Sequence, residues 1–406
     1  MRPLAEAQRE VLEAVRRLPA VAVDLDQALG MVLAEDLVAP HDIPPFANSA
    51  MDGFAVVGAD LGPAPVHLEV LEDVAAGHVA RSRVVPGAAV RIMTGAPIPD
   101  GADTVVRVED TQSSGSKVRI DVVPAVGNAV RQAGGDVRSG SVVFPAGTVL
   151  TPPHLGVLAA VGAARPLVYR TPVVAVLSTG DEVLPPETGE LAPGTIRDAN
   201  RPLLKGLLAE AGVAVRDFGI VGDDAGQLRS TLAAAAEQCD VVVTSGGVSM
   251  GDYDLVKQVL TELGSVALWQ VAMQPAKPFA FGSVAGTPLF GLPGNPVSVM
   301  VAFEVFLRPA LLRMRGAHAI FRPLSNGVWG EGVETDVAKT VFLRVVREGA
   351  VVRLAGRQES NVLSATAAAG AFAVVEQGIG AMAVGDHVPL LEIRLPASRS
   401  FEEVHP

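Results

Sequence analysis

The sequence predicts an elongated, multidomain α/β chain in which a doubly wound parallel sheet occupies the centre and β-rich accessory domains flank it. Three observations carry that expectation. Between Thr171 and about Gly316, continuous apolar runs (PVVAVLSTG, DVVVTSGG, PLFGLPGNP) alternate with helical patterns, as they do when strands are buried on both faces of a parallel sheet. On either side the pattern changes to short apolar runs, broken by Gly and Pro before the centre and continuing as VFLRVV, AVVRLAG, AFAVV and HVPLLEIRL after it, which read as β-structure. A chain of 406 residues with 49% apolar content is long enough for two to four domains at roughly 150 residues each.

Taken in order, Leu4, Val11, Leu12, Val15 and Leu18 fall at helical spacing and predict a first helix that ends at Pro19. A second short apolar pattern (Leu25, Ala28, Leu29, Val32, Leu33) leads into the Pro-rich segment HDIPPFANSAMDGFAV from His41. Residues 53–126 read as an inserted β-rich domain, and residues 127–170 return to extended runs with one short helix. Residues 1–52 and 127–170 are therefore expected to form one discontinuous N-terminal domain. In the α/β domain, residues 171–318, helices are expected around Leu203 to Ala211, from Leu228 to Glu237 and over Leu255, Val256, Val259, Leu260 and Leu263, with a strand near Phe218. Residues 319–406 are expected to close into a small barrel-like or sandwich-like sheet.

Charge and composition narrow the partners. A net charge of −12 argues against nucleic acid or an anionic membrane surface, so a phosphate-bearing ligand needs a local basic pocket. The single cysteine, Cys239, excludes a disulfide framework, a thiolate zinc cluster and a CxxC redox motif, and reads as a small buried hydrophobe rather than a reactive thiol. The seven histidines show no ligand spacing. With no apolar leader and no run long enough to span a bilayer, the expected setting is cytoplasmic.

The strongest chemical signal is TSGGVSMGDYD, Thr244 to Asp254. A strand, a Gly turn and a helix start place unpaired backbone N–H groups at the carboxyl edge of a parallel sheet, where anions bind. Asp252 and Asp254 in that mouth point to metal-bridged phosphate chemistry. STGDE (Ser178 to Glu182) and GLPGNPVS (Gly291 to Ser298) should open on the same edge, with Asn295 as N-cap, Pro296 at N1 and Ser298 facing a bound oxyanion. Glu182, Asp223 and Asp254 together suit Mg²⁺, which takes a few carboxylates plus substrate phosphates. Singly, each reads equally as a cap or a solvated acid. Lys277 of QPAKP is either the counter-charge of the site or an exposed edge lysine. In the first half, RIMTGAPIPDGAD and GNAVRQAGGDV allow close backbone approach to a ligand, with Arg131 as a fork for phosphate or carboxylate; turns carrying solvated charges are the alternative.

In order and spacing, PPFANSAMDGFAV, RIMTGAPIPDGAD, GNAVRQAGGDV, STGDE, DAN (Asp198 to Asn200), TSGGVSMGDYD, QPAKP and LPGNPVS resemble the motif series of the molybdopterin molybdenumtransferase family, which includes MoeA and the gephyrin E domain. The resemblance covers nearly the whole chain. It implies a MogA-like central domain and an enzyme of molybdenum cofactor biosynthesis. Such an enzyme uses Mg²⁺ to cleave adenylylated molybdopterin, releases AMP and inserts molybdate into the dithiolene. By the same resemblance, Asp52, Thr94 and Asp136 are catalytic residues given by one subunit of a homodimer. Glu182, Asp223 and Asp254 are catalytic and metal-binding residues given by the other. Arg131, Asn200, Gly246, Gly247, Ser249, Lys277, Pro293, Pro296, Ser298, Arg344 and Ser360 are implied as substrate-binding. Transient contacts with a molybdopterin adenylyltransferase and with apo-molybdoenzymes are implied as well. Many relatives carry KPGKP where this chain has QPAKP, so Gln274 replaces a lysine and Ala276 a glycine, and one positive charge is missing. Two other readings remain open: a gephyrin-type scaffold that clusters receptors, and the neighbouring adenylyltransferase. No long linker favours the first, and the flanking domains count against the second.

Overall fold

The computed structural model describes residues 1–246, 258–259 and 262–394. Most of the helical pattern expected over Leu255 to Leu263 therefore lies outside the described residues. At the centre is a six-stranded sheet whose strands lie in the order Ala214–Val221, Val173–Thr179, Val241–Ser245, Thr287–Leu292, Pro278–Val284 and Gly264–Gln270. The first four are parallel. Alternation along them fills both faces: Val174, Val176, Val241 and Val243 pack with Leu204, Leu207 and Leu208 of the Asn200–Glu210 helix. Ala175, Leu177 and Val242 pack with Leu228 and Leu232 of the Ala225–Gln238 helix on the other side.

The doubly wound parallel sheet carries a mixed edge, since Pro278–Val284 pairs antiparallel with both Thr287–Leu292 and Gly264–Gln270. A parallel return requires a crossover of a dozen or more residues, and the chain provides only Val271–Lys277 between one pair. Between the other pair stand Ala285 (φ 48°) and Gly286 (φ 84°), whose positive φ values make the tight hairpin turn that matches strand twist.

The N-terminal helix spans Leu4–Ala14 and stops short of Pro19, because Val15 turns extended and the Leu18 amide donates to the Met314 carbonyl at 2.8 Å. Its buried residues Ala7 and Val11 share the core of the α/β sheet with Phe306 and Leu311. Beyond Pro296 one helical rod runs through Pro296–Ala302, a π segment Phe303–Leu307 and Arg308–Met314. Pro309 has no N–H to give the carbonyl four residues back, that of Val305. Gln8 Nε2 donates to that carbonyl instead, at 3.0 Å.

The inserted sheet has the order Thr104–Arg107, Gly53–Val56, Ala88–Ile92, Val66–Val74, Lys117–Ile120 and Thr111–Ser114. Gly53 is required there, because a Cβ would overlap the Val106 carbonyl oxygen. The chain leaving this sheet pairs with the chain that entered it: Val130–Arg131 with Asn48–Ser49, Val142–Phe144 with Leu37–Val38, and Leu167–Tyr169 with Ala20–Ala22 and Val32–Leu33. The C-terminal strands close a ring. Thr340–Glu348 pairs with Val351–Leu354, then Leu324–Trp329, His387–Glu392 and Ala371–Val375 follow, and the last returns to Thr340–Glu348. Trp329, Val345, Val352 and Leu390 fill this barrel.

The Asn200–Glu210 helix is moored by charge. Asp198 accepts from the Arg201 amide (3.1 Å) and Nε (2.9 Å), while Arg201 and Lys205 each donate to Asp217 at 2.7 Å. Burial pushes the Asp217 carboxyl up, but Lys205, Arg201 and the Gly219 amide outweigh it and hold the group at about 2. A depressed carboxylate stabilises above its unfolded value near 4 and loses that contribution as pH falls through about 2. With 30% of the side chain exposed, screening reduces the contribution to about 1 kcal/mol. Asp217→Asn should therefore lower stability by about 1 kcal/mol at pH 7, a difference that shrinks toward zero by about pH 2 in urea titrations.

Candidate active site

Val173–Thr179, Val241–Ser245 and Thr287–Leu292 run parallel, so STG, TSG and PGN open on one carboxyl edge. Ser178 pairs in register with Ser245, and Leu177 with Thr244. Here stands a feature that motif reading missed. Ser178 Oγ, Thr179 Oγ1, Thr244 Oγ1 and Ser245 Oγ are buried and have no hydrogen-bond partner among the described residues, and neither has Asn200 Oδ1. A buried hydroxyl left unpaired costs about 1–3 kcal/mol, so four on one sheet edge form a surface prepared for a polar ligand. The Ser/Thr pair closing Val173–Thr179 and Val241–Ser245 was the signal available in the sequence.

Around this edge the acids gather. The register Thr179↔Val221 brings the STGDE turn beside the turn after Val221. Asp181 Oδ1 accepts the Asp223 amide at 2.9 Å, a link no motif revealed. The Glu182 carboxylate lies across Gly180 (φ 124°), where any side chain would overlap it. Glu182 and Asp223 are thus brought together, both exposed. Asp252, Asp254, Gly247 and Ser249 lie outside the described residues, and Gly246 takes φ 92° at their threshold. Among the described residues no group of three His, Cys, Asp or Glu side chains converges as a metal site.

The PGNP turn is held from two sides. Asn200 Nδ2 donates to the Gly294 carbonyl at 2.7 Å. Asn295 occupies the N-cap position and Pro296 the first turn, as expected, but Asn295 makes no cap hydrogen bond. Its Nδ2 donates instead to Ser360 Oγ at 2.9 Å, and the Val297 amide donates to the Ser360 carbonyl at 3.3 Å. Pro293 and Ser298 are buried at this turn. Since Ala280 pairs with Gly291 across an antiparallel ladder, two further steps bring Pro278 opposite Pro293 and set exposed Lys277 beside the turn.

Arg344 requires a correction. It was expected to meet the ligand, yet it is 1% exposed, and its guanidinium donates to the carbonyls of Val362 (2.9 Å), Arg357 (2.9 Å) and Glu359 (3.2 Å). Burial pushes its pKa below the usual guanidinium value. Arg344 folds the loop that presents Ser360 to Asn295, so it acts on the turn through that loop.

The first-half residues form a second group. Asp52 Oδ1 accepts from the Thr94 amide (2.7 Å) and Oγ1 (2.8 Å); these bonds, with Arg91 nearby, hold its carboxyl below the ordinary value. Asn48 pairs with both Arg131 and Pro97, which brings the Arg131 strand against the Thr94 turn. Asp136 follows, its amide bonded to the Ile43 carbonyl at 3.0 Å. All four of these expected residues are exposed. Among the described residues no hydrogen bond joins residues 53–131 to residues 171–318.

Fold and edge together define an α/β protein with polar residues gathered at the carboxyl ends of its parallel strands. The MoeA N-terminal region (domains I and II) matches residues 2–162, and the probable molybdopterin binding domain matches residues 175–313. Molybdopterin molybdenumtransferase 2 of Mycobacterium tuberculosis is 40% identical over 356 residues, covering 85% of this chain and 88% of its own. The molybdopterin molybdenumtransferase of Haemophilus influenzae is 36% identical over 376 residues, covering 91% and 92%. The crystal structure of the molybdopterin biosynthesis MoeA protein from Pyrococcus horikoshii superposes with a TM-score of 0.85 at 28% identity, covering 96% of this chain and 99% of that one. The chain belongs to the molybdopterin molybdenumtransferase family.

The QPAKP loop shows what its departure costs. Ala276 is 3% exposed and holds φ 72°, a left-handed conformation that strains any residue with a Cβ by about 1–2 kcal/mol. Ala276→Gly should raise stability by about 1 kcal/mol, once glycine's greater unfolded-state entropy is subtracted. Urea denaturation with an unchanged m-value checks this.

Proposed function

We propose that this protein is the molybdenum insertase of cofactor biosynthesis: it binds adenylylated molybdopterin, cleaves the phosphoanhydride, releases AMP and places molybdate on the dithiolene. The observation that carries this reading is the row of unpartnered buried hydroxyls at Ser178, Thr179, Thr244 and Ser245, set between an acidic turn and the Lys277 and PGNP side of the same edge. A ligand with a polar ring system and phosphates satisfies the hydroxyls. The Gly246 turn and the lysine receive its anionic parts. The substrate supplies both sulfurs, which suits a chain whose one cysteine, Cys239, is buried and has its thiol pushed up by that burial.

Mg²⁺ fits the acids present. Glu182 and Asp223 offer hard carboxylate oxygens on adjacent turns, and the cation needs only one or two carboxylates besides substrate phosphates; Asp254 is the third candidate ligand. When bound, the ion neutralises charge developing on the phosphoanhydride. Asp181 fixes the backbone that carries Asp223. Asn200 and Ser360 fix the PGNP turn, and Lys277 with Ser298 orients the tetrahedral oxyanion. Arg344 maintains this arrangement from behind.

The reading includes a homodimer. Asp52, Thr94, Arg131 and Asp136 form one group and the α/β residues another, without a hydrogen bond between the two regions of one chain among the described residues. A two-fold dimer would join the groups as two equivalent composite sites. The domain division at residues 1–52 with 127–170, 53–126, 171–318 and 319–406 belongs to the same proposal; the strand pairings across the insertion and the closed C-terminal ring support it. A cytoplasmic setting and transient contacts with an adenylyltransferase and apo-molybdoenzymes belong to the same proposal. Among the described residues no helix is long and apolar enough to cross a membrane.

Purified protein given Mg²⁺, molybdate and adenylylated molybdopterin should release AMP and yield cofactor that activates an apo-molybdoenzyme. Chelation of Mg²⁺ should stop AMP release. Reaction without dependence on molybdate would overturn the insertase reading in favour of an adenylyltransferase or a scaffold.

The shared site has its own test. Asp52→Ala and Asp223→Ala chains, each inactive alone, are refolded together. Random pairing makes about half the dimers mixed, each with one intact site, so about a quarter of wild-type activity should return. Recovery near zero, with subunit exchange verified by mass, would confine the site to one chain.

A further inference from the structure

The QPAKP loop has a neighbour that its motif does not contain. Met273–Gln274 pairs in parallel with Thr340–Val341 at the start of a barrel strand, and the Thr340 amide donates to the Ala272 carbonyl at 3.0 Å. That pairing delivers the preceding residue, Lys339, to the loop. Lys339 Nζ donates to Gln274 Oε1 at 3.4 Å and meets Asp336 Oδ2 at 2.7 Å. Its side chain is only 20% exposed, so the stem is packed and the ammonium is held in place. Gln274 and Lys277 are exposed on the same loop.

We propose that Lys339 is a specificity-determining residue for the tetrahedral oxyanion: the barrel supplies in trans to the loop the cation that Gln274 does not. This rests on the insertase reading and names a further residue of its oxyanion pocket. Gln274 is suited to the arrangement, because its amide oxygen accepts from the lysine where a second lysine would repel it. Asp336 completes the group, with its carboxyl held below the ordinary value by Lys339 first and also by the field of Lys277. Two ammonium groups against one carboxylate leave one net positive charge around the QPAKP loop. That is the sign a dianion requires in a chain whose overall charge repels it. The carboxylate also limits how tightly the anion is held, which suits a substrate that must be handed on.

Isothermal titration of the purified full chain with sodium molybdate tests this, alongside the molybdate concentration that half-saturates AMP release. Lys339→Met should weaken molybdate binding about tenfold, the size of one charge-assisted contact. Lys339→Arg should stay within about threefold of wild type. Gln274→Lys placed in the Lys339→Met chain should recover most of the loss. Asp336→Asn should tighten binding severalfold, a gain that damage to the fold could not produce. Unchanged affinity in Lys339→Met, or weaker affinity in Asp336→Asn, overturns the proposal while leaving the insertase reading in place. Failure of the wild-type chain to bind molybdate at all, with or without adenylylated molybdopterin, overturns both.

Discussion

Parallel strands buried on both faces have nowhere to put the polar groups of their last residues except the edge where they all stop. In this chain Val173–Thr179, Val241–Ser245 and Thr287–Leu292 stop together, in register, and the hydroxyls that close the first two lie buried and unpartnered along that line among the described residues. Everything else in the site is arranged around that line. The STGDE and Asp223 turns carry acids to one end of it. The PGNP turn and Lys277 bring a helix start and a cation to the other, because the antiparallel hairpin that follows the parallel strands folds the QPAKP loop back to the same edge. Had the sheet remained wholly parallel, that loop would lie a sheet's width away.

The edge is braced by residues with no chemistry of their own to offer. Arg344 organises the carbonyls of its loop, the loop presents Ser360, and Ser360 Oγ accepts from Asn295 Nδ2 at the start of the helix. Arg315 makes a similar tie farther back, donating to the carbonyls of Ala211 and Gly30 and so fastening the sheet to the N-terminal segment. Both arginines are buried and both use backbone oxygens as partners. A guanidinium carries several N–H donors in one plane, so each arginine gathers carbonyls from separate segments that would otherwise be left without a partner.

How much of this was legible in the sequence follows from how local each feature is. The strands and helices between Thr171 and Gly316 were legible because continuous apolar runs and 3.6-residue periodicity are properties of single segments. The inserted and barrel sheets could be recognised as β-structure, and the motif series disclosed the family. Features that depend on register were not legible. The antiparallel edge followed from connection lengths of seven and two residues that the apolar pattern does not register. The unpartnered hydroxyls of Ser178 and Ser245 matter only because their strands are neighbours. Asp181, inside STGDE but given no role there, and Lys339, outside every motif, acquire meaning only once Asp223 and Gln274 are placed beside them. Arg344 misled because a conspicuous arginine near a ligand motif suggests contact, whereas its burial directs its donors into the protein.

The tie between Gln8 and the Val305 carbonyl joins residues 297 positions apart. The Leu4–Ala14 helix leaves the ribosome long before the residues around Phe306 and Leu311 that cover its Ala7 and Val11. While synthesis proceeds, the intervening sheets can assemble from neighbours close in sequence, but this helix must carry an uncovered apolar stripe until the rod emerges. The order in which the polypeptide is made is thus the reverse of the order in which its central core can be sealed. A nascent chain halted before Leu311 would display that stripe to holding chaperones.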